Sequence, residues 1–117
     1  MLAEVVKRRH EHIRQRFDDA VDKEKKGDLD TAAGHTLHVL ELSVPGEQLS
    51  TQIVEFARLL GMKLYSAGEL SRAKELWANA LVIDPGNLKL QNYLKEVETR
   101  LDNLDRIKKG GKDNVGK

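Results

Sequence analysis

The residues best suited to chemistry in this chain are its four histidines, which fall in two close pairs. His10 and His12 stand two apart, and His35 and His38 stand three apart with Glu41 three further on. On a helix His35, His38 and Glu41 share one side, and imidazole with carboxylate is a zinc donor set. A zinc centre needs three or four donors held in place by further hydrogen bonds, and neither pair is followed by that pattern. The expectation is solvated histidines on the outer face of a helix, with no metal and no cofactor. The chain has no Cys, which excludes thiolate ligands, disulfides and cysteine nucleophiles. It also lacks a Gly-rich phosphate loop, a nucleophile elbow and a His-Glu-x-x-His element, so enzymatic activity is not expected.

Charge offers a second chemistry. Lys7, Arg8, Arg9, Arg14 and Arg16 face only Glu11 within their segment, the last ten residues are again basic, and the body between is acidic. A basic segment can neutralise phosphates. This one has no interleaved aromatic residues, and at helical spacing its charges point in several directions, so nucleic acid is a disfavoured partner and an anionic membrane surface equally so. No apolar run reaches the length of a membrane span. The reading is of a soluble chain, cytoplasmic by default, or of a piece of a longer exported or anchored protein.

The elements that would position such groups are helices. With 117 residues, 39% of them hydrophobic and 33% charged, two Pro and 4% aromatics, the composition suits one domain of helices with a buried stripe each. Five stripes recur at helical spacing. Ile13, Phe17, Ala20 and Val21 belong to the first; Leu29, Ala32, Ala33, Thr36, Leu37 and Leu40 to the second; Ile53, Phe56, Ala57, Leu60 and Leu64 to the third. Leu70, Ala73, Leu76, Trp77 and Ala80 make the fourth, and Leu90, Leu94, Val97, Leu101 and Leu104 a fifth between Asn87 and Lys109. Gly27 and Gly68 are placed to close helices in the left-handed conformation, and Pro45 and Pro85 stop the helices that follow. Residues 110–117 carry no apolar period and are expected to be a flexible tail.

The punctuation repeats. Gly27-Asp28-Leu29-x-x-Ala32 and Gly68-Glu69-Leu70-x-x-Ala73 stand 41 residues apart, and each is followed by a Pro-Gly pair. The second copy, Ala57-x-x-Leu60-Gly61-x-x-Leu64, then Gly68, then Ala73-x-x-x-Trp77-x-x-Ala80 and Pro85, resembles a tetratricopeptide repeat. The first copy agrees at Ala20, Gly27, Leu29 and Ala32, but has Thr36 in the place of Trp77 and Asp19 and Lys23 in the places of Leu60 and Leu64.

That resemblance implies an all-α fold of antiparallel hairpins stacked as a short right-handed superhelix of five helices. Repeat one would span about 13–46 with an N-terminal extension at 2–12, repeat two about 54–86 with an extension at 47–53, and a capping helix 87–109. The two extensions are expected to meet through Leu2, Val5, Val6, Leu49 and Ile53. Carried over by matching places, a partner-binding groove would be lined by Arg14, Phe17, Val21 and Glu24, by Glu55, Arg58, Met62 and Tyr65, and by Lys89, Asn92, Glu96 and Thr99. Phe17, Val21, Met62 and Tyr65 would be its floor, for a protein or peptide segment. The carboxylate-clamp variety is disfavoured, because Arg14, Asp18, Leu59, Lys89 and Tyr93 do not supply its residue types. Two alternatives stand beside this one: the fifth helix or a second copy covers the floor, or Leu101, Leu104 and Ile107 form the seam of a homo-oligomer.

Overall fold

In the computed structural model the backbone is described from Leu2 to Val115 and the side chains from Arg8 to Ile107. Five α-helices account for nearly all of it: α1 (Leu2–Lys25), α2 (Leu29–Leu42), α3 (Gln48–Ser66), α4 (Leu70–Ile83) and α5 (Leu88–Val115), with no strand among the described residues. The fold is all-α. Pairing follows the chain, α1 against α2, α3 against α4 and α5 against α4, while α2 also touches α3 and α4 and so joins the hairpins.

The two hairpins close by the same device. At the end of α1, Gly27 takes φ 82° and its N–H donates to Glu24 O at 3.0 Å, while Asp28 N–H donates to Lys23 O at 2.9 Å. At the end of α3, Gly68 takes φ 85°, its N–H donates to Tyr65 O at 3.1 Å, and Glu69 N–H donates to Leu64 O at 2.8 Å. Each glycine satisfies carbonyls that a helix end leaves open, in a conformation a Cβ would strain. Asp28 then caps α2, its carboxylate accepting from Thr31 N–H at 3.2 Å. Glu69 stands at the matching place without a side-chain cap. Asn87 caps α5 through Leu90 N–H at 3.1 Å.

The core runs through both hairpins. Ile13 and Phe17 of α1, Val39 and Leu40 of α2, Ile53, Leu60 and Leu64 of α3, Leu76 and Trp77 of α4, and Leu90 and Val97 of α5 are all buried. Ordinary large side chains in such a core each contribute about 1.5–3 kcal/mol. Hairpin two has the tighter centre. Trp77 is 2% exposed, sets the Nε1 side of its indole against Gly61, and donates its indole N–H to Arg58 O at 3.1 Å. In hairpin one the smaller Thr36 takes that place, fully buried with its hydroxyl donating to Ala32 O at 2.7 Å, and Ala20 stands where Gly61 does. A smaller ring-side residue lets the opposite helix carry a Cβ.

The lengthened first helices lie against the loop between hairpins. Arg9 donates to Leu42 O at 2.6 Å, His10 lies 3.1 Å from Glu47, and buried Ser50 donates to Val44 O at 2.8 Å. Ile53 is fully buried and Leu49 partly so. The side chains of Leu2, Val5 and Val6 lie outside the described residues.

The last helix differs from the sequence reading at its end. It continues through Gly110 and Gly111 to Val115, where the apolar period had suggested a stop at Lys109 and a flexible tail. A helix already nucleated adds each residue for one hydrogen bond, and an interior Gly costs only about 1 kcal/mol against Ala, too little to force a break. At 28 residues α5 is about 42 Å long, and the molecule measures 69 × 31 × 22 Å because that helix projects beyond the hairpins. Leu90 and Val97 are fully buried against the rest of the chain and Leu101 is partly covered, but Leu104 is 47% and Ile107 68% exposed.

Candidate functional site: the face formed by α1, α3 and α5

Helical spacing divides α3 into four sides. Ala57, Leu60, Gly61 and Leu64 are buried in the hairpin core. Phe56 and Lys63 turn toward α1, Arg58 and Tyr65 toward α5, and Glu55, Leu59 and Met62 point away from the core between them. The contacts agree with that division. Phe56 meets Phe17 edge to face at 5.4 Å, and Lys63 pairs with Glu24, joining α1 to α3. Arg58 donates to Tyr93 Oη at 3.4 Å, and Arg100 donates to Tyr65 Oη at 3.0 Å with its guanidinium 5.2 Å from that ring, joining α3 to α5. Tyr65 Oη also stands 3.5 Å from Glu96 Oε1.

The expected floor residues therefore have different fates. Phe17 is buried and Val21 is half-buried. Tyr65 is half-buried and bound to α5. Met62 is 41% exposed and has Leu59, 47% exposed, beside it, so these two make the apolar strip that remains open. Among the charged positions, Arg58 is bound twice by Glu55, with Nε to Oε2 at 3.0 Å, and its side chain is only 12% exposed. Glu24 is 16% exposed against Lys63. Arg14, Lys89, Asn92, Glu96 and Thr99 are exposed along α1 and α5.

Electrostatically the face is held by local pairs of opposite sign. The Arg58 hydrogen bond, and secondarily its charge and that of Lys89, holds the Glu55 carboxyl below its ordinary value against the opposing effect of burial. The same bond, with Tyr93 adding to it, raises the Arg58 guanidinium further. Arg58 thus links α3 to α5 through Tyr93 Oη, and the rings of Tyr65, Trp77 and Tyr93, with successive centroids 5.9 and 5.3 Å apart and tilted by 34° and 39°, line the same junction. A shallow concavity continues along α5, lined by Tyr65, Asn92, Lys95, Glu96, Thr99 and Arg100.

No family model and no curated protein matches the chain. The sequence places Leu59 only among positions that miss the clamp pattern, puts neither it nor Lys63 on the groove line, and does not join Arg100 to Tyr65. Tyr93, Glu96 and Arg100 at steps of three and four do mark one face of α5, but what they meet depends on how α5 packs sideways on α3.

The histidines are regrouped by the fold. His35 and His38 do not share a partner: His35 Nδ1 lies 3.3 Å from Arg16, and His38 meets His12 across the hairpin. Among the described residues no group of three or more His, Asp or Glu gathers to hold a metal, and no helix is long and apolar enough to cross a membrane.

Proposed function

We propose that this chain is a non-catalytic protein-interaction module of tetratricopeptide-repeat type, a scaffold or adaptor within a larger assembly. The observation that carries the reading is the Leu59–Met62 strip. Two sizeable apolar side chains stand 47% and 41% exposed at the centre of a face whose edges are tied by Glu24–Lys63 on one side and Arg58–Tyr93 and Tyr65–Arg100 on the other. An exposed apolar strip between rigid, charged borders suits an amphipathic peptide or helix, with apolar anchors giving affinity and the borders giving orientation. The repeated Gly27 and Gly68 closures and the Gly61–Trp77 fit support the repeat-family resemblance.

A photo-cross-linking residue at position 62 tests the surface directly, with position 75 on α4 as the control, since Glu75 is exposed outside that face. The reading expects adducts with a defined partner from position 62 and none from position 75. Equal labelling from both would remove the case for this face.

A second reading rests on a separate observation. Leu104 and Ile107, 47% and 68% exposed on the projecting part of α5, are the kind of residues a homo-oligomer covers. Two such positions make a short seam, so this reading describes a supplementary contact between copies or with a neighbouring domain.

A further inference from the structure

The chain has no Cys and two Met, so no thiol competes for an oxidant, and Met62 is the one sulfur among the described side chains. It stands on α3 in the open strip, 41% exposed, within reach of a molecule as small as a peroxide. Its sulfur is held from one side only. Arg58 Nη1 lies 3.8 Å from Sδ, and the guanidinium is itself fixed by Glu55, with Nε to Oε2 at 3.0 Å, and by Tyr93 Oη at 3.4 Å. A thioether is a weak acceptor, so this contact orients the sulfur while leaving it nucleophilic. One lone pair faces the guanidinium, and no other donor among the described residues reaches the second.

We propose that Met62 is a reversible oxidation site for hydrogen peroxide, and that its sulfoxide turns the strip off. The loss of binding rests on the reading of the Leu59–Met62 strip as a docking surface, whereas the oxidation does not. The free lone pair of Sδ attacks one peroxide oxygen, so that an S–O bond forms as the O–O bond breaks. The sulfur gives up two electrons, and the proton on the transferred oxygen passes to the departing hydroxide, which leaves as water. Arg58 is a positioning residue in this step. With its N–H on one lone pair, addition at the other yields mainly one of the two sulfoxide epimers, its oxygen turned away from Arg58 to the open side of the strip.

Oxidation converts a flexible apolar side chain into a polar one. In the free chain water solvates the new oxygen, and the fold is unaffected because Met62 is not part of the core. Against a partner's apolar anchor the same oxygen loses its water and gains no donor, which weakens binding. A bound partner in turn covers Sδ and slows its oxidation. Methionine sulfoxide reductases return the sulfide, so the face responds to peroxide and recovers from it without a cysteine.

The experiment treats the full chain with hydrogen peroxide, digests it and reads the Met62 and Met1 peptides separately by mass spectrometry, with N-acetylmethionine amide as the rate standard. Met62 should gain one oxygen within about tenfold of the standard's rate, as its exposure implies, with the helical signal unchanged. Reductases specific for each epimer should find an excess of one, and Arg58→Leu should oxidise as readily but give nearly equal amounts. Capture from the native source with parent, oxidised parent and reductase-restored parent should show a defined partner lost about tenfold in step with the Met62 peptide, and regained on repair. Oxidation slower than that range, or an epimer ratio that Arg58→Leu leaves unchanged, overturns the site. A sulfoxide form that captures the same set as the sulfide overturns the switch. A parent whose captured set is indifferent to Leu59→Ser with Met62→Ser removes the docking reading instead, and the rate and epimer readouts then decide the oxidation site.

Discussion

The indole of Trp77 occupies the space into which residue 61 would project a Cβ: an atom built there lies 2.2 Å from Nε1 and within 2.8 Å of two ring carbons. Gly61 and Trp77 are thus a fitted pair, and the close approach of α3 and α4 rests on both.

Gly61→Ala should destabilise the chain. The gain in helix propensity, about 1 kcal/mol, is smaller than the about 1–3 kcal/mol or more that overpacking costs when a buried ring has to move. Gly34→Ala is the matched control, because it lies within α2 with nothing near its would-be Cβ, and should stabilise by about 0.5–1 kcal/mol. Urea midpoints of the two variants should move in opposite directions.

Trp77→Ala should cost about 3–5 kcal/mol, a large share of a small domain's stability. Trp77→Phe keeps much of the ring but removes the indole N–H that Arg58 O accepts in addition to its helix bond, so its cost should fall between parent and Ala. If Trp77→Ala melts like the parent, hairpin two is not organised around this residue.

The Glu55 carboxyl titrates below its ordinary value in the folded chain, chiefly through the Arg58 hydrogen bond. A depressed carboxyl contributes stability that is complete above its unfolded value and is lost as pH falls through the lower folded value. Glu55→Gln should accordingly flatten part of the acid limb of a stability–pH curve below about pH 4.5. Glu55 is 54% exposed, so screening keeps the contribution under about 1 kcal/mol, and 1 M salt should shrink it further.

The two parts of the α5 stripe should respond differently to substitution. Leu90→Ala, at a fully buried position, should cost about 2–5 kcal/mol, while Leu104→Lys with Ile107→Lys should leave the melt near the parent's. Mass measured over a concentration series completes the test. A parent that self-associates and a Leu104/Ile107 variant that does not would assign this end of α5 to contacts between copies.

Much of the fold was legible because helical stripes and their breaks are local. Gly27 and Gly68 take positive φ where the sequence placed helix ends, and Trp77 is buried where the repeat resemblance put it. The face was less legible. The repeat resemblance makes Tyr65 an open floor residue, yet Arg100 and Glu96 of α5 claim its hydroxyl, and that depends on the lateral fit of residues 31 and 35 positions apart in the chain. The His12–His38 contact is of the same kind. Spacing along one helix pairs His35 with His38, whereas the packing of α1 on α2 pairs His38 with a residue 26 positions away.

The central claim is that the open strip of α3 binds a partner, and a double substitution measures it most directly. Leu59→Ser with Met62→Ser changes two exposed side chains; it gives up the 3.8 Å contact of Arg58 Nη1 with Met62 Sδ but brings no new charge to the ties at Lys63, Arg58 and Tyr65. Affinity capture from the native source, with the captured proteins quantified for parent and variant, is the readout, and circular dichroism establishes that both are folded. The account predicts that a defined partner is retained by the parent and lost at least tenfold from the folded variant. An identical captured set from both would contradict it.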